Sequence, residues 1–198
     1  MAEADSNQCN QIKFKQAFLT FCLLFVTLIA SPASSETLAA TISKNGANVI
    51  FLRHALAPGT GDPTNFDIGD CKTQRNLNVH GRAQARAIGN YFKEHQIYLS
   101  TILTSEWCRC RDTATEMGIG EAITFAGLNS FYQGHFDRQQ TLTLLQKRLA
   151  VMHKDDLVLM ITHQVVISAV TGIAPRSGGI VVFNSHTGVA ERLSPIVD

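Results

Sequence analysis

Residues 48–54 read Asn48-Val49-Ile50-Phe51-Leu52-Arg53-His54. Four apolar residues in a row, two of them β-branched, end abruptly on an arginine and a histidine. Apolar residues at consecutive rather than alternating positions suit a strand buried on both faces, as in a parallel sheet covered by helices. Leu157–Thr162 (LVLMIT) is a second run of this kind, and His163 follows it. Both strands thus hand over to a titratable side chain at the carboxyl end. That is where open α/β sheets hold their ligands.

The pattern extends outward from these two runs. Gly59–Cys71 is dense in Gly, Asp, Pro and Asn and predicts a loop. Asn78 is placed to N-cap a helix reaching about His95, with Ala83, Ala87, Ile88, Tyr91 and Phe92 as its apolar stripe. Thr101–Thr104 and Ala122–Ala126 predict strands. Arg109–Met117, closed by Gly118, predicts a helix between them. Asp137–Met152 predicts a helix with Leu142, Leu145, Leu149 and Met152 on one face. A short helix over Gln164–Val170 follows the second buried strand, and Gly179–Phe183 and Ala190–Leu193 form a terminal strand pair. The order βαβαβαβαββ predicts an α/β fold: a single three-layer domain over 48–198, with a largely parallel central sheet and helices on both faces. Residues 34–47 form a short lead into it, and there is no internal repeat.

The N-terminal region is an address rather than part of this fold. Ala17–Ala30 (AFLTFCLLFVTLIA) is 14 residues without a charge, short of the roughly 20 that a membrane span needs. Lys13 and Lys15 precede it, and the small residues Ser31-Pro32-Ala33-Ser34-Ser35 follow. These features predict a signal peptide over 1–33, cleaved on export, rather than an uncleaved anchor or a core helix. The product would be periplasmic or secreted and would meet a membrane only through this segment. Hydrophobic residues make up 45% of the 198 residues and charged ones 17%, which excludes a disordered chain. A net charge of +1 argues against a nucleic-acid partner.

The polar residues past the strand ends form one set. They are Arg53 and His54, then Thr104 and Ser105 with Arg109 at the next helix start, then Thr162 and His163. Arginine offers forked donors that match phosphate oxygens and keeps its charge. Histidine serves as a nucleophile or as a donor to a phosphoryl oxygen. Together they suit an anionic tetrahedral centre. A zinc site of His54, His163, Cys108 and Cys110 fits poorly, because Cys-x-Cys spacing is unusual for zinc and two arginines would repel the cation.

These residues carry a resemblance. Phe51-Leu52-Arg53-His54-Ala55, Leu77-Asn78-x-x-Gly81-x-x-Gln84-Ala85, Thr104-Ser105-x-x-x-Arg109-x-x-x-Thr113-Ala114 and the strand ending in Thr162-His163 stand in order. The chain so resembles the histidine phosphatase superfamily, which includes the cofactor-dependent phosphoglycerate mutases and many phosphomonoesterases. The resemblance implies His54 as the nucleophile that becomes a phosphohistidine, and Arg53 and Arg109 as the phosphoryl clamp. It implies His163 as a donor to the same group, with no metal or organic cofactor. Arg75 and Arg111 are candidates to extend the anion site, and Gln164 could hydrogen-bond substrate.

Two positions depart from the family. The usual Gly after the histidine is Ala55, which is harmless unless φ there is positive. Mutase-like members carry a Glu general acid where this chain has Leu128-Asn129-Ser130, so the acid position falls on Ser130. Asp137, the nearest downstream carboxylate, is the named substitute, with Asp67, Asp62 and Glu106 as further candidates.

Export removes Cys9 and Cys22 and leaves Cys71, Cys108 and Cys110 in an oxidising compartment. A bridge from Cys71 to Cys110, or to Cys108, would tie the active-site loop to the helix carrying Arg109 and leave one buried thiol. Three reduced cysteines are the alternative. The expected function is an exported phosphomonoesterase acting on small-molecule phosphate esters. The competing reading is a phosphate- or phosphosugar-binding protein of the same fold without turnover.

Overall fold

The computed structural model describes residues 37–195. The expected signal peptide over 1–33 lies outside them. Strand β1 (Val49–Arg53) enters the centre of the sheet, followed by helix α2 (Val79–Glu94) and strand β2 (Thr101–Thr104). Helix α3 (Cys108–Met117), strand β3 (Ala122–Thr124), helix α4 (Arg138–Ala150) and strand β4 (Val158–Thr162) come next. Helix α5 (Gln164–Thr171) and strands β5 (Ile180–Phe183) and β6 (Ala190–Arg192) close the chain. The expected lead at 34–47 contains helix α1, Leu38–Asn45, capped by the Thr37 hydroxyl and ended by Gly46 at φ 55°. Ala122–Ala126 was expected as strand throughout; the strand stops at Thr124, and Ala126–Leu128 turns as a 3-10 helix.

The six strands run in the order β3-β2-β4-β1-β5-β6. β3, β2, β4 and β1 are parallel to one another, whereas β5 is antiparallel to β1 and β6 to β5. Every residue of β4 is buried, and so are the first four of β1. Helices cover both faces. Ile50, Leu52, Ile102, Leu159 and Ile161 pack with Leu38 of α1, Ile88 and Phe92 of α2, and Met117 of α3. Val49, Phe51, Leu103, Val158 and Met160 face the other way, onto Leu145 and Leu149 of α4 and Val166 and Ile167 of α5. Consecutive apolar residues on the central strands thus feed two cores, as period-2 alternation requires.

Register sets the site. Arg53 pairs with Thr162 and Thr104 with Ile161, so His54, Ser105 and His163 leave three adjacent strands at nearly one level. The backbone N–H of His54 donates to the Thr162 carbonyl at 2.9 Å, and that of Ser105 to the Ile161 carbonyl at 2.9 Å.

The Asn78–Ala85 motif braces this rim from one side. The Asn78 side chain accepts from the Gly81 N–H, which starts α2. Gly81 then lies so close to the loop after β1 that a Cβ there would stand 1.9 Å from the Leu56 carbonyl oxygen. Gln84, one turn on, accepts from the Leu56 N–H at 3.0 Å and donates to the Ser177 carbonyl at 3.2 Å. Among the described residues no helix is long and apolar enough to cross a membrane.

Candidate active site

A cavity of 270 Å³ opens at the carboxyl ends of β1 and β4, and Arg53, His54, Arg75, Arg109, His163 and Gln164 line it. Ser130 and Tyr132 form part of its wall, as do Gly59–Gly61 of the loop after β1.

His54 is 2% exposed. Its Nδ1 lies 2.8 Å from the carbonyl oxygen of Ala55. A carbonyl can only accept, so the neutral ring carries its proton on Nδ1 and leaves Nε2 with a bare lone pair. Burial, then the field of Arg109, holds the imidazole well below its ordinary range; Arg53 and Arg75 push the same way, against the Ala55 carbonyl. Ala55 does not have a positive φ, so alanine in place of glycine costs no backbone strain. Its N–H donates to Thr113 Oγ1 at 3.0 Å, and that hydroxyl donates to the Arg109 carbonyl at 2.6 Å. Thr113 thereby joins the loop after β1 to the first turn of α3.

Arg109 is held as a fork. Its Nη1 and Nη2 donate to Asp62 Oδ1 and Oδ2 at 2.7 and 3.2 Å, and both side chains are only 4% exposed. Burial alone would raise the Asp62 carboxyl. The hydrogen bonds and charge of Arg109, with the Arg75 N–H and Trp107 Nε1–H, outweigh it and hold Asp62 below its ordinary value. Asp62 is therefore ionised and locks Arg109 from behind, without lining the cavity. Arg53 donates through Nη1 to the Pro175 carbonyl at 3.0 Å, while the buried Nε atoms of Arg53 and Arg109 have no hydrogen-bond partner among the described residues. Arg75 is fixed by the Gly61 carbonyl at 2.9 Å and by the Ala57 carbonyl. Three guanidinium charges against one carboxylate leave the site at about +2, the complement of a phosphoryl dianion.

His163 N-caps α5. Its Nδ1 lies 3.4 Å from Arg109 Nη2, a donor only, so Nδ1 accepts and the proton sits on Nε2. Nε2 donates to Ser105 Oγ at 3.0 Å, and Ser105 donates on to Asn129 Oδ1 at 3.1 Å. Burial, then Arg109, pushes His163 well below its ordinary range; His54, Arg75 and Arg53 add to the effect.

The four candidate carboxylates stand away from the cavity. Asp137 caps α4, accepting the Gln140 N–H at 2.6 Å. There it satisfies a first-turn N–H that lacks a helical partner, and it does not line the cavity in which a general acid was expected. Asp67 accepts the Gly69 N–H in a surface turn, and Glu106 accepts from the Asn129 amide. Ser130, where the resemblance places the acid position, does line the cavity. Arg111 contacts the cysteine sulfurs instead of the cavity. Trp107 is buried, stacks on Phe66 and meets His163 edge-on.

The disulfide joins Cys71 to Cys108, with Cα atoms 5.7 Å apart, and Cys110 is free and buried. The expected Cys71–Cys110 pairing is thus corrected to the alternative partner. Residues two apart on a helix point roughly 200° from one another. Cys108 faces the loop, where its N–H donates to Gln74 Oε1 at 2.9 Å. Cys110 faces inward, 3.5 Å from His163 Nε2, and burial pushes its thiol up to about 12. Gln74 Nε2 also donates to the Asp67 and Ile68 carbonyls, so the loop carrying Asp62 and Arg75 is stitched to the start of α3. Among the described residues no group of three His, Cys, Asp or Glu could hold a metal ion.

A mostly parallel sheet with two histidines and three arginines gathered around a small cavity at its strand ends defines a phosphoryl-handling α/β protein. The family pattern of the histidine phosphatase superfamily (branch 1) matches residues 49–150, just over half of the chain, and the chain belongs to that superfamily. It is thus a phosphatase-type protein, in a superfamily that also includes mutases. No curated protein matches it by sequence. Its fold is similar to that of the protein histidine phosphatase SixA complexed with tungstate (18% identity, TM-score 0.51, covering 74% of this chain and 94% of that one). It is also similar to the Mycobacterium tuberculosis Rv3214 product (17%, 0.50, 74% and 95%). A third likeness is to the mycobacterial glucosyl-3-phosphoglycerate phosphatase Rv2419c with VO3 (14%, 0.50, 70% and 92%).

Proposed function

We propose that the protein is an exported phosphomonoesterase that hydrolyses small phosphate esters through a phosphohistidine on His54. The observation that carries this reading is the bare Nε2 of a neutral, buried His54 beside three guanidinium groups whose net field matches a phosphoryl dianion. Arg53, Arg75 and Arg109 bind the non-bridging oxygens. His54 Nε2 attacks phosphorus in line; the N–P bond forms as the bond to the leaving oxygen breaks, and the electron pair departs with that oxygen. Water then adds to phosphorus and the N–P bond breaks, which restores His54 and releases phosphate. The dianion favours a proton on His163, whose Nδ1 then turns from acceptor to donor toward a phosphoryl oxygen while Nε2–H stays on Ser105.

Among the described residues, no aspartate or glutamate lines the cavity. The reading therefore favours substrates whose leaving groups depart without a proton, such as aryl phosphates. The same observation gives the second reading its weight: a phosphate-binding protein of this fold that has lost turnover. The disulfide between Cys71 and Cys108 and the signal-like N-terminus support export.

The mature protein should release phosphate from 4-nitrophenyl phosphate, and His54→Ala should abolish release. Rapid quench with labelled substrate should trap a phosphoenzyme labile to acid and stable to base. Binding of phosphate esters without turnover or phosphoenzyme would favour the second reading.

A further inference from the structure

The second histidine is held by a chain of hydrogen bonds that runs away from the cavity. His163 Nε2 meets Ser105 Oγ at 3.0 Å, and Ser105 Oγ meets Asn129 Oδ1 at 3.1 Å. The Asn129 amide ends on Glu106 through both its atoms. Its Oδ1 accepts the Glu106 backbone N–H at 3.0 Å, and its Nδ2 donates to Glu106 Oε2. Ser105 and Asn129 are fully buried, and neither lines the cavity. The Thr162 hydroxyl donates to the Leu128 carbonyl at 2.6 Å, so the residues just before His163 and Asn129 are joined as well.

This chain has one consistent direction. A backbone N–H can only donate, so Glu106 fixes Asn129 with Oδ1 toward Ser105 and Nδ2 toward the carboxylate. An amide oxygen can only accept, so it draws the single Ser105 hydroxyl proton. Ser105 Oγ then presents lone pairs elsewhere, one to the Trp107 N–H at 3.3 Å and one to the His163 ring. The Cys110 thiol meets both Ser105 and Nε2, as a weak partner. The ring proton is thereby drawn to Nε2, and Nδ1 is left on the side of Arg109. Without Asn129, the Ser105 hydroxyl is free to turn and donate to Nε2, which drives the ring proton to Nδ1, against a guanidinium. We propose that Asn129, oriented by Glu106, is a positioning residue that acts through Ser105 to hold His163 in the Nε2–H form, with Nδ1 kept for the phosphoryl group. The segment in which the resemblance places a general acid thus serves the second histidine from behind. The effect on turnover rests on the phosphatase reading above; the tautomer does not.

Ring-nitrogen NMR of histidine-labelled protein distinguishes the two tautomers, and the His163 signal is the one missing from His163→Gln. In the wild type, His163 should be in the Nε2–H form alone. Asn129→Ala and Ser105→Ala should each give a mixture with the Nδ1–H form. Each should also lower kcat on 4-nitrophenyl phosphate by about tenfold, with KM little changed, as part of the roughly 100-fold that a donor to the reacting group supplies. The two losses should not add: in the Ser105→Ala background, Asn129→Ala should cost less than about twofold, because the asparagine acts only through the serine. Asn129→Asp keeps both acceptor contacts and should keep the Nε2–H form, which carries the test if the alanine variants fail to fold. A pure Nε2–H form in Asn129→Ala, a mixture in the wild type or in Asn129→Asp, or additive losses in kcat would overturn the inference. If the wild type turns over no ester, the phosphatase reading fails, and the tautomers alone decide the positioning role.

Discussion

At the scale of single residues, Asp62 is the side chain whose role follows most directly from its contacts. It does not touch the cavity, yet it holds both outer nitrogens of Arg109. Asp62→Asn keeps the shape and removes the charge that fixes the fork. Breaking a buried ion pair costs about 3–5 kcal/mol of stability, and a misplaced clamp costs about 100-fold in rate. Chemical denaturation and kcat/KM on 4-nitrophenyl phosphate should both show the loss. The two buried histidines set the response to acid. Both are held well below their ordinary value of 6.5 in the folded protein, so between their folded pKa and 6.5 the unfolded chain binds more protons. Stability should therefore fall as pH drops below 6.5, by up to about 1.4 kcal/mol per pH unit for each histidine. Asp62 acts in the same direction further down: its contribution is present above the ordinary carboxylate value of 3.8 and is lost as pH falls through its depressed pKa. Denaturation midpoints from pH 7 to 5 check the first effect; a flat profile would mean that the histidines titrate normally. His54 was legible in the sequence because an arginine–histidine pair ended an apolar strand. Asp62 was only one of four candidate carboxylates, because its link to Arg109 spans 47 residues and no local pattern records it.

At the scale of elements, the approach of α2 to the loop after β1 depends on a missing side chain. Gly81→Ala would drive a Cβ into the Leu56 carbonyl, and backbone there cannot give way as a flexible side chain can. Overpacking of this kind costs about 1–3 kcal/mol. It should also displace the segment that follows His54, so thermal midpoint and kcat should fall together. An unchanged kcat would separate α2 from the placement of His54. Most elements were readable because buried strands and striped helices have different periods. Helix α1 was missed: eight residues are too few to show a period, and only Leu38 and Thr41 are buried. Its end signals, Thr37 and Gly46, were nonetheless present. The disulfide partner turned on helical phase, which depends on where α3 begins. A start at Arg109 rather than Cys108 leaves the direction of the two flanking cysteines undecided.

At the scale of the whole molecule, the Cys71–Cys108 bridge connects residues 37 apart in sequence. Closing a loop of that length stabilises by about 3–4 kcal/mol on the chain-entropy account. Cys71→Ser should lower stability by that order, and protein made in a reducing compartment should match the variant until oxidised. Thiol titration of unfolded, non-reduced protein lacking residues 1–33 should find Cys110 alone; three thiols would remove the bridge. The same bond has a consequence for cleaved chains. It closes a covalent ring that contains α2 and β2, together with the turn near Gln96, where φ is 51°. A protease that cuts anywhere inside the ring severs the polypeptide without parting its fragments. One fragment carries Arg53 and His54, and the other carries Arg109 and His163. Such a nicked molecule would migrate as one species until a reductant is added, and its two halves of the site would stay leashed to each other after the peptide link between them is gone.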